Sequence, residues 1–502
     1  MHLPLKLDAS AAASLQSQLF EQIRDLILRG RLRPGAPMMA TRALSRQLGV
    51  SRNTVLLAYE RLIAEGYLQS RPAVGTFVSF DLPEDCLRLN DPVRRGEAQG
   101  RQADRHPVSF VGRAQMVVNP KRHKLAIDFW VGRPDNRSFP LKAWRRHVLR
   151  SLAAAGPELT EYGSPAGLYE LRCAIAEYLG PARGITATPE QVIVVAGCQQ
   201  ALNIVARMFV RQGTPVVVES PCYQGAAYLF ESYGARLLPV RVGPDGLDVA
   251  ALPADPVGLA YVTPSHQYPL GVTLSLEGRL RLLEWAWRVG AYVVEDDYDS
   301  DFRYQGSPLT ALKGLDTHGS VIYLGTFSKS VGAGLRVGYM VVPRELVEPA
   351  ATVKALLDNG NPWLEQAALA EFIIGGGYAN HLRRIRQTYL ARRDCLIEAL
   401  RHHFGGGIEL AGLEGGMHLV WRLPADWMSA AELQAAAQSR GVGIYSLPSG
   451  AAYEPRPSEY TDRTIMLGYS SVTERQIREG IARLADIVAD SRAPARVPAA
   501  VG

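Results

Sequence analysis

The sequence has few cysteines and no long hydrophobic run. Its five cysteines, Cys86, Cys173, Cys198, Cys222 and Cys395, are scattered and form no Cys-x-x-Cys pair. This spacing excludes a disulfide framework and a thiolate zinc site, and it predicts a reducing cytoplasm as the location of the protein. No stretch of about 18 uncharged apolar residues occurs, and the amino end lacks a basic segment followed by an apolar run. We therefore expect neither secretion nor a membrane span.

The chain is too long for one hydrophobic core. It has 502 residues, of which 47% are hydrophobic and 21% charged. Because single cores rarely grow past about 250 to 300 residues, we expect at least two globular domains. The formal net charge is +6, but residues 1–80 alone carry +5 and residues 81–124 a further +3. A basic front segment favours a polyanion such as nucleic acid as its partner, although a solubilising surface would give the same charge.

The first 80 residues show the pattern of a helix-turn-helix followed by a hairpin. An apolar stripe predicts a helix from Leu15 that ends at Gly30. A short helix capped by Thr41 and a longer helix over 52–65, capped by Ser51, flank a tight turn that contains glycine. The β-forming run that follows, broken by Pro and Gly, predicts a hairpin wing over 67–80.

A helix-turn-helix of this kind places the start of its second helix in the major groove of DNA. The predicted DNA-contacting residues are Ser51, Arg52, Asn53 and Thr54 at the base edges, Arg42 at a phosphate, and Gly75 and Thr76 at the tip of the wing. Taken singly, each is better explained as a solvated cap or surface residue, whereas their order as one set favours DNA binding.

From residue 125 onward, short apolar runs alternate with helical patterns. The runs that predict strands are VIVVA at 192–196, PVVVE at 215–219, GLAYV at 258–262, AYVVED at 291–296 and VIYLG at 321–325. This alternation predicts an α/β fold with a mainly parallel central sheet. Because ligands bind beyond the carboxyl ends of the strands in such sheets, the residues just after these runs are the candidates for chemistry.

The segment between these two parts shows no sustained periodicity, carries four prolines and is polar, which predicts an extended linker. The predicted organisation is a winged helix-turn-helix at 12–80, a linker at 81–124, the α/β domain at 125–490 and a tail at 491–502.

Three of the predicted strand ends carry polar residues suited to one ligand. They are Gly197, Cys198 and Gln199 before a helix; Asp296, Asp297 and Tyr298; and Thr326, Ser328, Lys329 and Arg336 around a glycine-rich stretch. Pyridoxal phosphate (PLP) needs a lysine for a Schiff base, a carboxylate for its ring nitrogen, a phenol near its 3′ oxygen and donors for its phosphate. We therefore predict PLP as cofactor, with Lys329 forming the Schiff base. Paired acids also suit a metal ion, but no His or Glu set is spaced to complete its coordination, so we predict no metal site.

Both halves of the chain also resemble known families. GRLRPG at 30–35, LGVSRNTVLLAYERLIAEGYL at 48–68 and GTFV at 75–78 resemble a GntR-type winged helix. That family usually has Leu-Pro-Ser-Ser-Arg before its first short helix, where this chain has Met-Met-Ala-Thr-Arg at 38–42 and keeps only the arginine.

The order of motifs over 125–490 is similar to that of fold-type-I, aspartate aminotransferase-like enzymes. The resemblance implies that Tyr162 of one subunit reaches the phosphate bound by the other, that Tyr223 stacks on the pyridine ring, and that Arg463 clamps a carboxylate of the ligand. It assigns the ring nitrogen to Asp296, or to Asp297 if the register slips by one. Tyr268 stands where the family has Asn, so the hydrogen bond to the 3′ oxygen is altered or missing.

A winged helix, a long linker and an aminotransferase-like body in this order resemble the MocR subgroup of GntR regulators. The resemblance implies a homodimeric transcriptional regulator that binds paired half-sites of double-stranded operator DNA, with a body that senses PLP or an amine captured by it. Two alternatives remain: a working aminotransferase with an appended DNA-binding module, and a DNA-binding protein whose body is only a dimerisation scaffold. The presence of Lys329 together with the other predicted PLP-binding residues argues against a body that is only a dimerisation scaffold. Tyr268 argues against efficient transamination.

Overall fold

The computed structural model describes residues 3–8, 10–11, 13–72, 74–80, 82, 125–304, 309–458 and 460–492. The chain divides into two compact units, Met1–Val108 and Ser109–Gly502. The predicted linker, apart from Leu82, and the tail beyond residue 492 lie outside the described residues. The domain limits given above therefore stay predictions.

The first unit consists of three helices and a two-stranded hairpin. Its elements are α1 (Leu15–Leu28), α2 (Thr41–Leu48), α3 (Arg52–Ala64), β1 (Leu68–Arg71) and β2 (Gly75–Val78). The apolar stripe of α1, including Leu19 and Ile23, is buried in one cluster with Val55 and Leu62 of α3. The hairpin is antiparallel and is the predicted wing.

The two helices of the helix-turn-helix begin differently. Ser51 caps α3 as predicted, because its Oγ accepts a hydrogen bond from the N–H of Thr54 at 3.0 Å. The expectation that Thr41 caps α2 is wrong. Thr41 is the first helical residue, and Ala40, which precedes it, has no side chain that accepts from the helix.

The second unit alternates strands and helices as the sequence predicts. Its strands are β3 (Ile127–Asp128), β4 (Val192–Val195), β5 (Pro215–Ser220), β6 (Cys222–Tyr223), β7 (Arg236–Gly243), β8 (Gly246–Leu247), β9 (Leu259–Val262), β10 (Tyr292–Asp297), β11 (Val321–Thr326), β12 (Gly338–Val341), β13 (Glu409–Ala411), β14 (His418–Arg422), β15 (Val442–Gly443), β16 (Tyr445–Ser446), β17 (Ala452–Tyr453) and β18 (Thr464–Gly468). Its helices are α4 (Leu141–Ala154), α5 (Tyr169–Arg183), α6 (Cys198–Phe209), α7 (Gln224–Ser232), α8 (Leu276–Val289), α9 (Leu312–Leu315), α10 (Val347–Asp358), α11 (Trp363–Ile374), α12 (Gly377–Phe404), α13 (Ala430–Ser439) and α14 (Glu474–Arg492).

The central sheet is mainly parallel and has the strand order β4-β12-β11-β10-β9-β5-β7-β8. Strands β11, β10, β9, β5 and β7 follow one another in parallel. Strand β12 is antiparallel to both β11 and β4, so β4 runs in the same direction as β11. The carboxyl ends of β4, β5, β9, β10 and β11 therefore meet at one edge, and the amino end of β12 lies beside them.

A smaller antiparallel sheet, β13-β14-β18-β16, packs against the long helices of the carboxyl-terminal part. Within the described ranges, none of the helices combines the length and the apolar character that crossing a bilayer requires. The four described cysteines are free thiols, and Cys86 lies outside the described residues.

Candidate functional site

A cavity of about 620 Å³ lies at the edge where the parallel strands end. The predicted site residues that line it are Gly197, Cys198, Gln199, Tyr223, Tyr268, Asp296, Tyr298, Thr326, Ser328, Lys329 and Arg336. The structure thus brings together all three groups that the sequence predicts at strand ends. The parallel topology explains this, since these residues follow β4, β10 and β11 or precede β12.

Lys329 lies in a π-helical turn, Ser328–Gly332, that follows β11 almost directly. Its Nζ donates a hydrogen bond to the carbonyl oxygen of Gly132 at 2.9 Å. Burial lowers the pKa of Lys329, and the nearby carboxylates of Asp299 and Asp296 only partly oppose this effect. A lowered pKa increases the fraction of neutral amine, which is the form that attacks an aldehyde.

Asp296 is the carboxylate that faces the cavity. Its Oδ2 accepts a hydrogen bond from the hydroxyl of Tyr261 at 2.9 Å. Its Oδ1 is buried and has no hydrogen-bond partner among the described residues. Burial raises the pKa of Asp296 to about 6, and the Tyr261 hydroxyl and the Cys198 thiol oppose the shift. A buried carboxylate that lines the cavity and has an oxygen without a hydrogen-bond partner among the described residues fits a protonated ring nitrogen.

Asp297 belongs to a different environment, because side chains alternate between the two faces of a strand. Its Oδ2 lies 2.7 Å from Nε of Arg183 and accepts a hydrogen bond from the Tyr323 hydroxyl at 2.6 Å. It does not line the cavity. The register of β10 therefore places Asp296, and not Asp297, at the candidate site.

An anion cradle is formed by two loops of the second unit. Helix α6 begins at Cys198, immediately after Gly197, so the first N–H groups of the helix face the cavity edge. On the other loop the hydroxyl of Thr326 donates to Oγ of Ser328 at 2.9 Å. Hydroxyls, helix N–H groups and the nearby Arg336 are the donors that a phosphate requires.

The guanidinium of Arg336 lies against Gly197, in the loop between β4 and α6. Its backbone is left-handed, with φ of 53°, a conformation that costs a non-glycine residue about 1 to 2 kcal/mol. Its guanidinium donates a hydrogen bond to the Ala196 carbonyl. Gly197 has φ of 92°, and a Cβ there would lie 2.9 Å from Nη2 of Arg336. Only glycine therefore permits this approach of the guanidinium to the cradle.

Three tyrosines form the wall beside the predicted ring site. The rings of Tyr223 and Tyr268 meet edge to face, with centroids 5.9 Å apart, and Tyr298 meets Tyr268 in the same way at 5.9 Å. The hydroxyl of Tyr268 donates to the Gly450 carbonyl. Because this hydroxyl is already engaged, Tyr268 contributes an aromatic wall here, consistent with the altered hydrogen bond that the sequence predicts.

Several lining residues were missed by sequence reasoning. The rings of Trp130 and Tyr445 meet edge to face, with centroids 4.7 Å apart, and both residues line the cavity. The hydroxyl of Tyr261 donates a hydrogen bond to Asp296, and the carbonyl oxygen of Gly132 accepts one from Lys329. No local motif marks these residues, because they reach the cavity from segments far apart in sequence.

Two predicted site residues do not line the cavity. Arg463 was expected to clamp a ligand carboxylate, but its Nη1 donates to the carbonyls of Pro424 and Trp427 at 3.1 and 2.8 Å, so this expectation is corrected. Tyr162 is 88% exposed in the single chain. Its contact with a second subunit stays a prediction.

The predicted DNA-contacting residues are exposed or half-buried in the first unit. Arg42, Ser51, Arg52, Asn53 and Gly75 are exposed, and the two threonines, at positions 54 and 76, are half-buried. Nε of Arg52 lies 3.5 Å from Oγ1 of Thr41, which connects the starts of α2 and α3. The start of α3 is therefore both ordered by its cap and accessible to a groove.

Comparison with known proteins agrees with this architecture. Residues 15–78 match the family of bacterial regulatory proteins called gntR, and residues 126–484 match aminotransferase class I and II. The probable rhizopine catabolism regulatory protein MocR of Rhizobium meliloti is 38% identical over 95% of this chain and 94% of its own length. The pyridoxine biosynthesis transcriptional regulator PdxR of Corynebacterium glutamicum is 32% identical over 97% of this chain and 98% of its own.

Among solved structures, kynurenine aminotransferase of Pyrococcus horikoshii is similar to the second unit. It matches with a TM-score of 0.66 and 29% identity over 73% of this chain and 92% of that one. The fold thus defines a winged helix joined to an aminotransferase-like body. The chain belongs to the MocR-type GntR transcriptional regulators.

Proposed function

We propose that this regulator binds PLP in the cavity of its second unit and that the occupant of the cavity sets its affinity for operator DNA. The observation that carries the proposal is the coexistence, in one chain, of a DNA-binding winged helix and a cavity with every part of a PLP site. An amine, an uncompensated carboxylate oxygen and an anion cradle all face the same space.

Each group has a separate task in this proposal. Bound PLP supplies an aldehyde that captures a primary amine. Lys329 provides such an amine from the protein, and its lowered pKa keeps part of it neutral. Asp296 holds the proton at the ring nitrogen through Oδ1. The helix start at Gly197, together with Thr326, Ser328 and Arg336, binds the phosphate.

We propose that the effector is PLP itself or a primary amine that displaces Lys329 from it. A ligand regulates only if it binds one conformation of the protein more tightly than another, because equal binding shifts no population. Two similar proteins are named as regulators of rhizopine catabolism and of pyridoxine biosynthesis, and these names are a reason to test both kinds of effector. We further propose a homodimer in the reducing cytoplasm, with paired operator half-sites.

The first test is binding of the full-length protein to the DNA upstream of its own gene, across a salt series, with and without PLP. Specific binding that changes with PLP is expected. Arg52→Ala is the control for the DNA contact, since Arg52 lies in the other unit from the cavity. Specific binding that is identical with and without PLP, and across a broad panel of amines, would refute sensing.

The alternative function is an active aminotransferase with an appended DNA-binding module. It is favoured by the lowered pKa of Lys329 and by the position of Asp296, which are also what transamination requires. The test is turnover of an amino donor to its keto acid by the PLP-loaded protein. If the protein catalyses multiple turnovers and shows no specific DNA binding, the proposed sensor function is wrong and the aminotransferase function is supported.

A further inference from the structure

Behind Tyr298 lies a buried group of polar side chains that the proposed function does not use. His266 and Asp299 are 5% and 3% exposed, and His266 Nδ1 lies 2.9 Å from Oδ2 of Asp299. The same Nδ1 lies 3.1 Å from the hydroxyl oxygen of Tyr298, which lines the cavity. One imidazole nitrogen therefore contacts both a carboxylate and the phenol of the candidate cofactor site.

The ring of His266 is held in place by backbone that approaches it closely. A Cβ at Gly416 would lie 2.2 Å from Cε1 of His266, and one at Gly412 would lie 3.3 Å from Nε2. The ring of His418 meets it edge to face, with centroids 4.8 Å apart. Side chains at the two glycine positions would clash with or crowd the imidazole, so the packing fixes its orientation.

The hydrogen bonds determine where the proton of His266 resides. A buried carboxylate needs a donor, and Nδ1–H is the group within reach of Asp299. Nε2 of His266 is buried without a hydrogen-bond partner among the described residues, so a second N–H would have no acceptor there. The neutral tautomer with the proton on Nδ1 satisfies both conditions.

This tautomer decides how the Tyr298 hydroxyl is oriented. With its proton donated to Asp299, Nδ1 has no lone pair to accept from the Tyr298 hydroxyl, so the hydroxyl hydrogen is left free for an acceptor in the cavity. Tyr268 does not replace this donor, since its own hydroxyl donates to Gly450. We propose that the His266–Asp299 pair acts as a positioning device that directs the Tyr298 hydroxyl hydrogen at the 3′ oxygen of the cofactor.

The inference rests on the PLP binding proposed above and adds two residues to that site. Among the described residues, His418, Arg183 and Arg303 are the other charged or titratable groups beside His266. Burial lowers the pKa of His418 to about 4, so this residue is neutral near pH 7. Arg183 is ion-paired with Asp297, and Arg303 with Glu414 at 3.2 Å.

The test is a pH titration of the visible absorbance of the PLP-loaded, full-length protein. A donor to the 3′ oxygen stabilises its anionic form and lowers the pH midpoint of the absorbance change. Tyr298→Phe should raise the midpoint by about one pH unit. His266→Gln should raise it in the same direction, and the double variant should match Tyr298→Phe alone, because His266 acts through Tyr298.

His266→Asn is the matched control. Its amide nitrogen is bonded to Cγ, as Nδ1 is, so it can donate from the same place, whereas the amide of Gln lies one bond further out. The midpoint of the Asn variant should stay near that of the unaltered protein. Asp299→Asn removes the charge that selects the tautomer and should produce a smaller upward shift, which provides a second measurement if His266→Gln fails to fold.

The possible outcomes separate the two proposals. Absence of any visible cofactor band in the unaltered protein would overturn the proposed function and, with it, this inference. A normal band whose midpoint moves in Tyr298→Phe but not in His266→Gln or Asp299→Asn would overturn only the inference. Equal shifts for His266→Asn and His266→Gln would also overturn it, since a merely structural role makes no distinction between their donor positions.

Discussion

The contrast between Asp296 and Asp297 gives the sharpest prediction about the second unit. Asp296→Asn is expected to stabilise the cofactor-free protein. Burial raises the pKa of Asp296 from 3.8 to about 6. At about 1.36 kcal/mol per pKa unit, the ionised carboxylate reduces the free energy of unfolding by about 3 kcal/mol above pH 6. Asparagine removes the cost of burying a charge and keeps an oxygen that accepts the hydrogen bond from the Tyr261 hydroxyl.

The sign of the pH dependence follows from the raised pKa. The folded state retains the Asp296 proton between pH 3.8 and about 6, whereas the unfolded state has lost it. The contribution of Asp296 to stability therefore declines as pH rises through this window and is constant above it. The stabilisation by Asp296→Asn should accordingly be largest at pH 8 and clearly smaller at pH 5.

Asp297→Asn is the matched control, one residue further along the same strand. It leaves the guanidinium of Arg183, which is 6% exposed, without its anion 2.7 Å away. Removing one partner of a buried ion pair typically costs about 3 to 5 kcal/mol. The same substitution, Asp to Asn, is thus expected to raise the free energy of unfolding at position 296 and to lower it at position 297.

The assay is urea unfolding of the cofactor-free protein at both pH values, followed by PLP titration of each variant. Asp296→Asn should also weaken PLP binding by roughly ten- to a hundredfold, since a hydrogen bond to a charged group contributes about 1.5 to 3 kcal/mol. The reasoning is refuted if Asp296→Asn destabilises the protein as much as Asp297→Asn does, or if it binds PLP with unchanged affinity.

Three further predictions concern single residues. Lys329→Ala should abolish the visible absorbance of a PLP Schiff base, and persistence of that band in the variant spectrum would locate the Schiff base at another lysine. Arg52→Ala should weaken operator binding by about 1 to 3 kcal/mol in a DNA-binding titration; unchanged affinity would exclude Arg52 from the reading surface. Ser51→Ala removes the acceptor for the Thr54 N–H and should lower the stability of the first unit by about 1 kcal/mol, measured by denaturant unfolding. A loss within experimental error would show that Ser51 does not stabilise the start of α3.

The apolar runs predicted the strands well because a strand buried on both faces must be continuously apolar. All four residues of β4 and all four of β9 are buried, and the polar residues that follow such strands line the cavity. The same local pattern does not show which residue at the end of a strand has its side chain on the side of the cavity. The choice between Asp296 and Asp297 stayed open until the register of β10 placed Arg183 beside one of them.

For Arg463, a short sequence resemblance gave the wrong position of the side chain. A short resemblance placed its guanidinium at the ligand, whereas the structure directs it to the carbonyls of Pro424 and Trp427. The orientation of an arginine depends on which acceptors the surrounding loops present, and nothing in the neighbouring sequence specifies those loops.

The sequence by itself determined the two-part architecture, the Ser51 cap and the turns of the winged helix, and the strand ends that carry Lys329, Asp296 and the phosphate-binding residues, because these depend on local periodicity and on the order of motifs. Only the tertiary structure decided which side chains meet. The contacts of Tyr261 with Asp296, of Gly132 with Lys329, and of His266 with Tyr298 and Asp299 join segments that lie more than 30 residues apart. Such contacts depend on strand register and loop packing, which are properties of the whole fold.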